Sequence, residues 1–475
     1  MTDARVPNGD VSWWWRDLGG MPDPRPALPG DLDVDVAIVG GGYTGLWTAY
    51  YLKRSQPDLR VAVLEQRFAG FGASGRNGGW LTNTVTGGRD RYVDRSLRFD
   101  KLSDRSDRGR DAAIALQRAL NDAVDEVIAV AARERIDADI VKGGEFGIAR
   151  TPSQLARLRA SVADEQSWPH TDVEELDASA AASRIAVDGV LGGVWHPHCA
   201  RVHPGKLVAG LAAAVERAGA TIYEQTHVTE ISPGRAVTDR GVVRAAHVIR
   251  ATEGFTADLH GEHRTWLPMN SSMIVTEPLP ASAWSAIGWD GRETLGDFAH
   301  VYMYAQRTAD DRIAFGGRGV PYRYGSHVDT DGTTQERTIA SLAGLLREFF
   351  PDAADVPIAH AWAGVLGVPR DWAATVGHDP ATGLGWAGGY VGTGVTATNL
   401  AGRTLADLVL GRDTDLARLP WVGHRAKRWE PEPLRWFAVN AIYTAYRAAD
   451  RMEASGSSDR TAWPAHVADW VAGRR

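Results

Sequence analysis

The chain has a single cysteine, Cys199, in 475 residues. One thiol excludes an internal disulfide, a redox-active cysteine pair and a cysteine-rich metal centre. Lysine is nearly as scarce: Lys53, Lys101, Lys142, Lys206 and Lys427 are all of it, so arginine carries the positive charge. The net charge is −7, and the basic surface that nucleic-acid binding needs is missing. No apolar run reaches the roughly 18–20 residues of a membrane helix. The opening MTDARVPNGD lacks the basic start and apolar stretch of a signal peptide. A cytoplasmic protein with no membrane span is the expectation, and the length predicts two or three domains.

Glycine, by contrast, is plentiful and clustered. Residues 34–39, VDVAIV, form an apolar run, GGGYTG follows at 40–45, and LWTAYYLKRS reads as a helix. A second apolar run, VAVL at 61–64, ends at Glu65. Gly40, Gly42 and Gly45 have the G-x-G-x-x-G spacing of a dinucleotide site. There the first glycine makes the turn, the second admits a pyrophosphate and the third packs helix on strand. Helix amides, including those of Tyr43 and Thr44, then face the phosphates. Glu65, 20 positions after Gly45 and followed by Gln66, is the acid expected at a ribose hydroxyl. This pattern alone does not separate NAD from FAD.

Two more glycine-rich stretches follow. GFGASGRNGGW at 70–80 has five glycines in eleven residues, too many for a core strand or a stable helix. LGWAGGYVGTGVT at 384–396 precedes a helical pattern that ends at Gly411, and Leu384–Ala387 read as one more strand of the first sheet. Glycine turns this far apart suit a long cofactor with a nucleotide at one end and a flavin at the other. On this reading Gly72, Ala73, Ser74, Gly75, Arg76, Asn77, Gly78 and Gly79 lie against it. So do Gly389, Gly392, Thr393, Gly394, Val395 and Thr396 from the later stretch.

DVAIVGGGYTGL, LEQRFAGFGASGRNGG, RVHPGKLVAGLAAA, RTADDRIAFGGR and GYVGTGVTATNLAGR together resemble the FAD-dependent amine oxidases of the D-amino acid oxidase superfamily. The resemblance is greatest to the gamma-glutamylputrescine oxidase branch, and it continues weakly into WFAVNAIYTAYRAADR. It implies an α/β plus α+β fold: a Rossmann-like FAD-binding domain and a discontinuous substrate domain with a mixed antiparallel sheet. The expected division is 30–110, 195–262 and 365–475 for the FAD domain, 111–194 and 263–364 for the substrate domain, and 1–29 as an extension. The resemblance also puts Val228 on the adenine side and Ala251–Thr252 near the pyrophosphate.

Further elements are read from pattern. Residues 204–219 predict a helix opening at Pro204 and closing at Gly219. Strands are expected around Ile222, Val228 and Val248–Ala251, at 269–277 and at 300–317, the last a hairpin turning at Asp310–Asp311. Helices are expected over about 107–135 and over TQERTIASLAGLLREFF. Trp13, Trp14 and Trp15 predict a tail packed on the domain surface; contact with a membrane or a partner is the minor alternative.

By resemblance the reaction is oxidation of a C–N bond. Hydride passes to flavin N5, and the imine is hydrolysed to a carbonyl compound. The implied substrate is a small amine or amino acid, gamma-glutamylputrescine-like or N-substituted, with oxygen or another acceptor taking the electrons. Tyr302, Trp362 and Arg318 are the catalytic candidates, and Tyr304 and Gln306 the substrate-binding ones, with Tyr302 and Tyr304 on one strand face. Gln306 stands where relatives carry arginine in YYR-x-T, and Arg307 points to the opposite face. No lysine lies between Lys206 and Lys427, whereas some relatives use one beside the flavin for reaction with oxygen. FAD is expected to be non-covalent, since Cys199 is not where covalent relatives attach it. His196, His198, Cys199 and His203 match no standard metal spacing, so no metal is expected. The alternatives are a D-amino acid dehydrogenase, a sarcosine-type demethylating oxidase, or a non-catalytic FAD-bound interaction protein. The acidic charge counts against a tRNA-modifying flavoprotein, and the 388–396 segment against an enzyme using NAD alone. The oligomeric state is not legible.

Overall fold

The computed structural model describes residues 6–96, 105–169, 171–317, 319, 321–328 and 331–472. The run VDVAIV lies in the strand Leu32–Val39, flanked by Gly241–Arg250 on one side and Val61–Leu64 on the other, both parallel to it. Val36, Ala37 and Ile38 are fully buried. A parallel strand covered on both faces has no polar side, so its sequence is continuously apolar rather than alternating. Thr221–Tyr223 extends the sheet beyond Val61–Leu64. Leu384–Gly388 pairs parallel with Gly241–Arg250, and Thr375–Asp379 closes that edge antiparallel. The Val228–Ser232 and Arg235–Thr238 strands hang from Gly241–Arg250 as an antiparallel extension.

Helix Tyr43–Ser55 covers this sheet together with helix Gly394–Val409, which follows Leu384–Gly388. They pack so closely that a Cβ on Gly402 would sit 2.6 Å from that of Trp47. The two glycine turns, more than 300 residues apart in sequence, therefore open onto one end of one sheet. Helix Pro204–Arg217 opens at Pro204 as the pattern predicts, with His203 as its N-cap through Nδ1. Gly219 follows its end with φ +92°.

The second sheet runs in the order Ile358–Val368, Leu267–Thr276, Ile313–Gly317, Tyr304–Arg307, Thr294–Asp297, Glu145–Ala149, Gly192–His196, Glu174–Asp177. All of its pairings are antiparallel except Thr294–Asp297 with Glu145–Ala149, so the sheet is mixed. The stretch expected as strand over 300–317 resolves into Tyr304–Arg307 and Ile313–Gly317 with the turn between them. Tyr302 precedes the strand, so it does not share a strand face with Tyr304. Helix Glu336–Phe349 places Ile339, Leu342, Leu346 and Phe349 in the core on this sheet. Helix Arg105–Glu134 matches the expectation over about 107–135.

The N-terminal tryptophans depart from expectation. Trp13, Trp14 and Trp15 form a short helix, Trp13–Asp17, and are 9%, 1% and 3% exposed. They do not lie on a surface; Trp15 enters the core of the first sheet, while Trp13 and Trp14 join a cluster with Met273 and Trp362 of the second. The residues before them extend the edge of Ile358–Val368: the Gly9 amide donates to the Ala361 carbonyl and the Ala361 amide to the Pro7 carbonyl, both at 2.9 Å. Three consecutive indoles leave water because the two sheets close over them.

The C-terminal helix Leu434–Glu453 packs Val439 and Tyr443 against Leu267 and Met269 of the second sheet. Among the described residues no helix is long and apolar enough to cross a membrane.

Candidate active site

At the C-terminal end of Leu32–Val39 the chain turns sharply at Gly40, whose φ of +110° and close approach both require glycine. A Cβ there would lie 2.5 Å from the Ala251 carbonyl, and one on Gly45 would lie 2.0 Å from the carbonyl of Gly40. Helix Tyr43–Ser55 begins at Gly42 with no side-chain cap of its own. Instead Ser74 Oγ, from the 70–80 loop, accepts from the Tyr43 amide at 2.8 Å. The helix N-terminus faces a cavity, and its amides and dipole favour negative charge there. Glu65 stands on the wall, accepting from the amides of Gly41 at 2.8 Å and Arg67 at 2.9 Å. Burial raises its pKa against those two bonds.

Gly40, Gly42, Tyr43, Thr44, Glu65, Gln66, Gly72, Ala73, Ser74, Asn77, Val228, Thr252, Gly392, Gly394 and Val395 all line this cavity. Gly45, Gly75, Gly79, Gly389 and Thr396 do not; they stand behind the wall and shape it. Gly75 lies under Trp15, and Gly389 donates its amide to Glu253 at 2.8 Å. Glu253 was not anticipated. It accepts from Gly389 and Tyr390 and thereby ties the second glycine turn to the segment after Ala251–Thr252, while burial lifts its pKa to about 7.

Ala73, Asn77, Leu366, Gly392 and Val395 are also wall residues of a second, larger cavity. Arg76, Gly78 and Thr393 line this second space, together with Tyr302 and Tyr304. The Tyr304 ring lies over Gly316, where a Cβ would meet it at 2.2 Å, and its hydroxyl is 2.9 Å from Ser271 Oγ. Trp80 covers Gly296 in the same way and meets Tyr304 edge to face. The bare glycines of the sheet floor thus make room for aromatic side chains that line the cavity.

Beyond this aromatic pair the cavity becomes polar. Glu145 Oε2 accepts from Thr82 Oγ1 at 2.6 Å and lies 3.6 Å from His196 Nε2. Burial opposes both charges, yet mutual attraction wins: the Glu145 pKa is lowered and that of His196 raised. Asp297 also lines this space, and burial pushes its pKa up to about 7, with Asp450 adding to the effect. Glu145 carries no sequence signal of its own, because its partners Thr82 and His196 come from distant strands, and the burial that sets the state of Asp297 is likewise not written in the residues beside it.

Two candidates named from sequence lie elsewhere. Trp362 is fully buried, lines neither cavity and donates from Nε1 to the Arg76 carbonyl at 2.8 Å. Gln306 is 1% exposed and donates from Nε2 to the carbonyls of Gly78 at 2.7 Å and Val202 at 3.1 Å. It holds backbone rather than facing a ligand, since its strand position points under the 70–80 loop. Arg307 faces the other way, onto Asp311 and over the ring of Trp284. Arg318 lies outside the described residues. The histidines near Cys199 disperse: His196 to Glu145, His198 to Asp172 and His203 to Asp17. Cys199 itself is buried beside Thr294, and burial raises its thiol pKa well above the usual value.

A family model described as "FAD dependent oxidoreductase" (DAO) matches residues 35–408. Gamma-glutamylputrescine oxidoreductase of Escherichia coli (strain K12) is 30% identical over 446 residues, covering 90% of this chain and 96% of that protein. A probable oxidoreductase, OrdL, of Rhizobium meliloti (strain 1021) is 30% identical over 401 residues, 82% of this chain and 86% of that one. The crystal structure of glycine oxidase from Geobacillus kaustophilus superposes with a TM-score of 0.65 at 22% identity, over 83% of this chain and 99% of that one, a likeness of fold.

The first cavity fits FAD by its own features. It joins a glycine turn at a helix N-terminus, a carboxylate one strand away and a second glycine turn at its far end. Side chains at Gly40 or Gly42 would close it, a Cβ on Gly42 lying 2.9 Å from Ser74 Oγ. Cys199 lines neither cavity, in keeping with FAD held without a covalent bond.

Proposed function

Because the chain belongs to the DAO family of FAD-dependent oxidoreductases, we propose that it oxidises the C–N bond of an elongated small amine or N-substituted amino acid with a polar far end. A gamma-glutamylated diamine is the leading substrate. The observation that carries this reading is the wall shared by the two cavities at Ala73, Asn77, Leu366, Gly392 and Val395. Through it a flavin ring in the first cavity would face a substrate in the second.

Bound FAD supplies the redox chemistry, accepting a hydride from the carbon next to nitrogen, after which water hydrolyses the imine to a carbonyl compound and an amine. The protein's share is binding and orientation. The amides at Gly42 and Thr44 would hold the pyrophosphate with help from Thr252, while Ser74 Oγ takes the Tyr43 amide. Glu65 holds a ribose hydroxyl, and Val228 borders the adenine. Gly392, Thr393, Gly394 and Val395 border the ring. Tyr302, Tyr304 and Trp80 form an apolar wall that excludes water from the reacting carbon. Glu145 and Asp297 receive the polar end. From Tyr304 to Glu145 the span is two strand spacings across and two residues along the sheet, about 12 Å. That length supports a chain longer than glycine or sarcosine. A cytoplasmic setting belongs to this reading and is supported by the lone, buried cysteine.

The test is an anaerobic spectrum of the holoenzyme during titration with amines, followed by air. Bleaching of the oxidised flavin band by gamma-glutamylated or other elongated amines, but not by glycine or sarcosine, is expected. Bleaching by none of them overturns the amine reading. Rapid return of the band in air marks an oxidase, and slow return a dehydrogenase with another acceptor.

A further inference from the structure

Four successive carbonyls of the 70–80 loop are each held by a side chain from elsewhere. Ser12 Oγ donates to Gly75 at 2.6 Å, Trp362 Nε1 to Arg76 at 2.8 Å, Trp14 Nε1 to Asn77 at 2.8 Å and Gln306 Nε2 to Gly78 at 2.7 Å. None of the four donors lines either cavity, whereas Arg76, Asn77 and Gly78 do. In a planar trans peptide the carbonyl and the next amide point in opposite directions. Each donor therefore fixes the direction of one amide as well.

Two of those four amides are accounted for within the protein. The Arg76 amide donates to the Ala73 carbonyl, and the Gly79 amide to Asn77 Oδ1. The amides of Asn77 and Gly78 find no acceptor among the described residues. These are the amides of the two peptide units whose carbonyls the indoles of Trp362 and Trp14 hold. They point away from the indoles, and their residues border the ligand space, Asn77 on the wall shared by the two cavities and Gly78 on that of the second. Asn77 and Gly78 are half-buried at the cavity wall, and a donor that a bound ligand shuts off from water without a partner is costly, so this pair suits an acceptor that the ligand provides.

We propose that Trp14 and Trp362 are positioning residues. By gripping the carbonyls of Asn77 and Arg76, they aim the amides of Gly78 and Asn77 as a pair of donors at the acceptor edge of the bound flavin ring. Negative charge gathers on that ring when it is reduced, and fixed donors stabilise it without reorganisation. The N-terminal segment thus belongs to the cofactor site although it touches no ligand. Its packing supports the grip: the Trp14 ring meets Trp362 and His203 edge to face, and His360 Nε2 lies 2.9 Å from the Gly9 carbonyl. The inference rests on FAD binding and is independent of which amine is oxidised.

Trp14→Phe and Trp362→Phe delete the N–H donor and keep an aromatic ring, whereas alanine would open a cavity and confound the test with lost stability. Each indole aims one of the two amides, so either variant alone carries the test should the other fail to fold. Trp13→Phe is the control, since Trp13 packs on Arg312 and His360 rather than on the loop. The deciding readout is the flavin midpoint potential, measured on holoenzyme with dyes and a chemical reductant, so that no amine substrate is needed. The reduced-to-oxidised ratio at fixed poise should fall at least fivefold in Trp14→Phe or Trp362→Phe, and FAD should dissociate more readily. Trp13→Phe should match the parent. An unchanged potential in the folded variants overturns the proposal, even if their melting temperatures fall, because packing alone would lower stability without moving the potential.

Discussion

At the scale of single residues, the site divides into positions where a side chain is forbidden and positions where a charge is held in an unusual state. Gly45 is of the first kind. A methyl group there would have to occupy the volume of the Gly40 carbonyl, 2.0 Å away, and backbone on both sides prevents relaxation. Gly45→Ala is therefore expected to lose at least about 3 kcal/mol of stability and to abolish FAD retention, checked by chemical denaturation and by the flavin content of the purified protein. Asp297 is of the second kind. Its pKa is raised to about 7, chiefly by burial, so the carboxyl facing the larger cavity is neutral in acid and anionic above neutrality. For a cationic substrate, KM should fall as the pH rises through 7. Asp297→Asn should show a high KM at every pH, with the dependence gone. The glycine requirement was legible from spacing, because three glycines at fixed offsets between two strands have one economical use. The state of Asp297 was not, since it is set chiefly by burial in the tertiary fold, with Asp450, 153 positions away in the chain, adding to it.

At the scale of elements, periodicity located helices and strands well and said little about which neighbours they would find. The helix Leu434–Glu453 reads as a plain amphipathic segment, yet its last residue is an anchor. Glu453 accepts from Arg157 Nη2 at 2.8 Å, Ser153 Oγ at 2.9 Å and the Ala462 amide at 2.9 Å, with His300 Nε2 2.9 Å away. Burial opposes its ionisation, but these partners, Arg157 foremost, bring its pKa down to about 2. A carboxyl whose pKa is depressed on folding contributes stability above its unfolded value, near 4.5, and loses it as the pH falls toward 2. The contribution is on the order of 3 kcal/mol. Glu453→Gln should destabilise the protein at pH 7 by a comparable amount and flatten the acid limb between pH 4.5 and 2, read by denaturant titrations across that range. The tryptophan segment teaches the same lesson. Three adjacent indoles advertise burial, but the carbonyls that hold Trp14 and Ser12, the residue before the helix, lie some 60 positions later.

At the scale of the whole molecule, two sheets meet across one cofactor space. The first brings the glycine turns at residues 40–45 and 389–394 to one edge, and the second supplies Tyr304, Glu145 and Asp297. The loop 70–80 lies between them, gripped by the N-terminal segment and by Trp362 and Gln306 of the second sheet. A ligand that fills this seam stabilises both sheets together. FAD at one hundred times its dissociation constant should add about 2.7 kcal/mol and raise the melting temperature of the whole protein in one transition. Separate transitions for the two sheets, with only one moved by FAD, would contradict that coupling. Melting curves of apoprotein and reconstituted holoenzyme decide it.

The sequence by itself determined the parallel sheet, the cofactor turn and the family. These rest on local rules: apolar runs with both faces covered, glycines where the backbone must turn or come close, an acid at the end of the next strand. It also marked the 70–80 loop as a surface laid against a ligand, because so bare a backbone has no packing of its own to offer. Only the tertiary structure decided what Trp14, Trp362, Gln306 and Glu145 do. Their hydrogen bonds join segments from roughly 60 to nearly 290 positions apart, and no periodicity records which distant carbonyl or hydroxyl a buried side chain will meet. Gln306 shows the limit clearly. Judged from the arginine that relatives carry at its position it belongs at the substrate, yet it reaches the Gly78 carbonyl, a contact set by packing between the sheets rather than by the residues beside it.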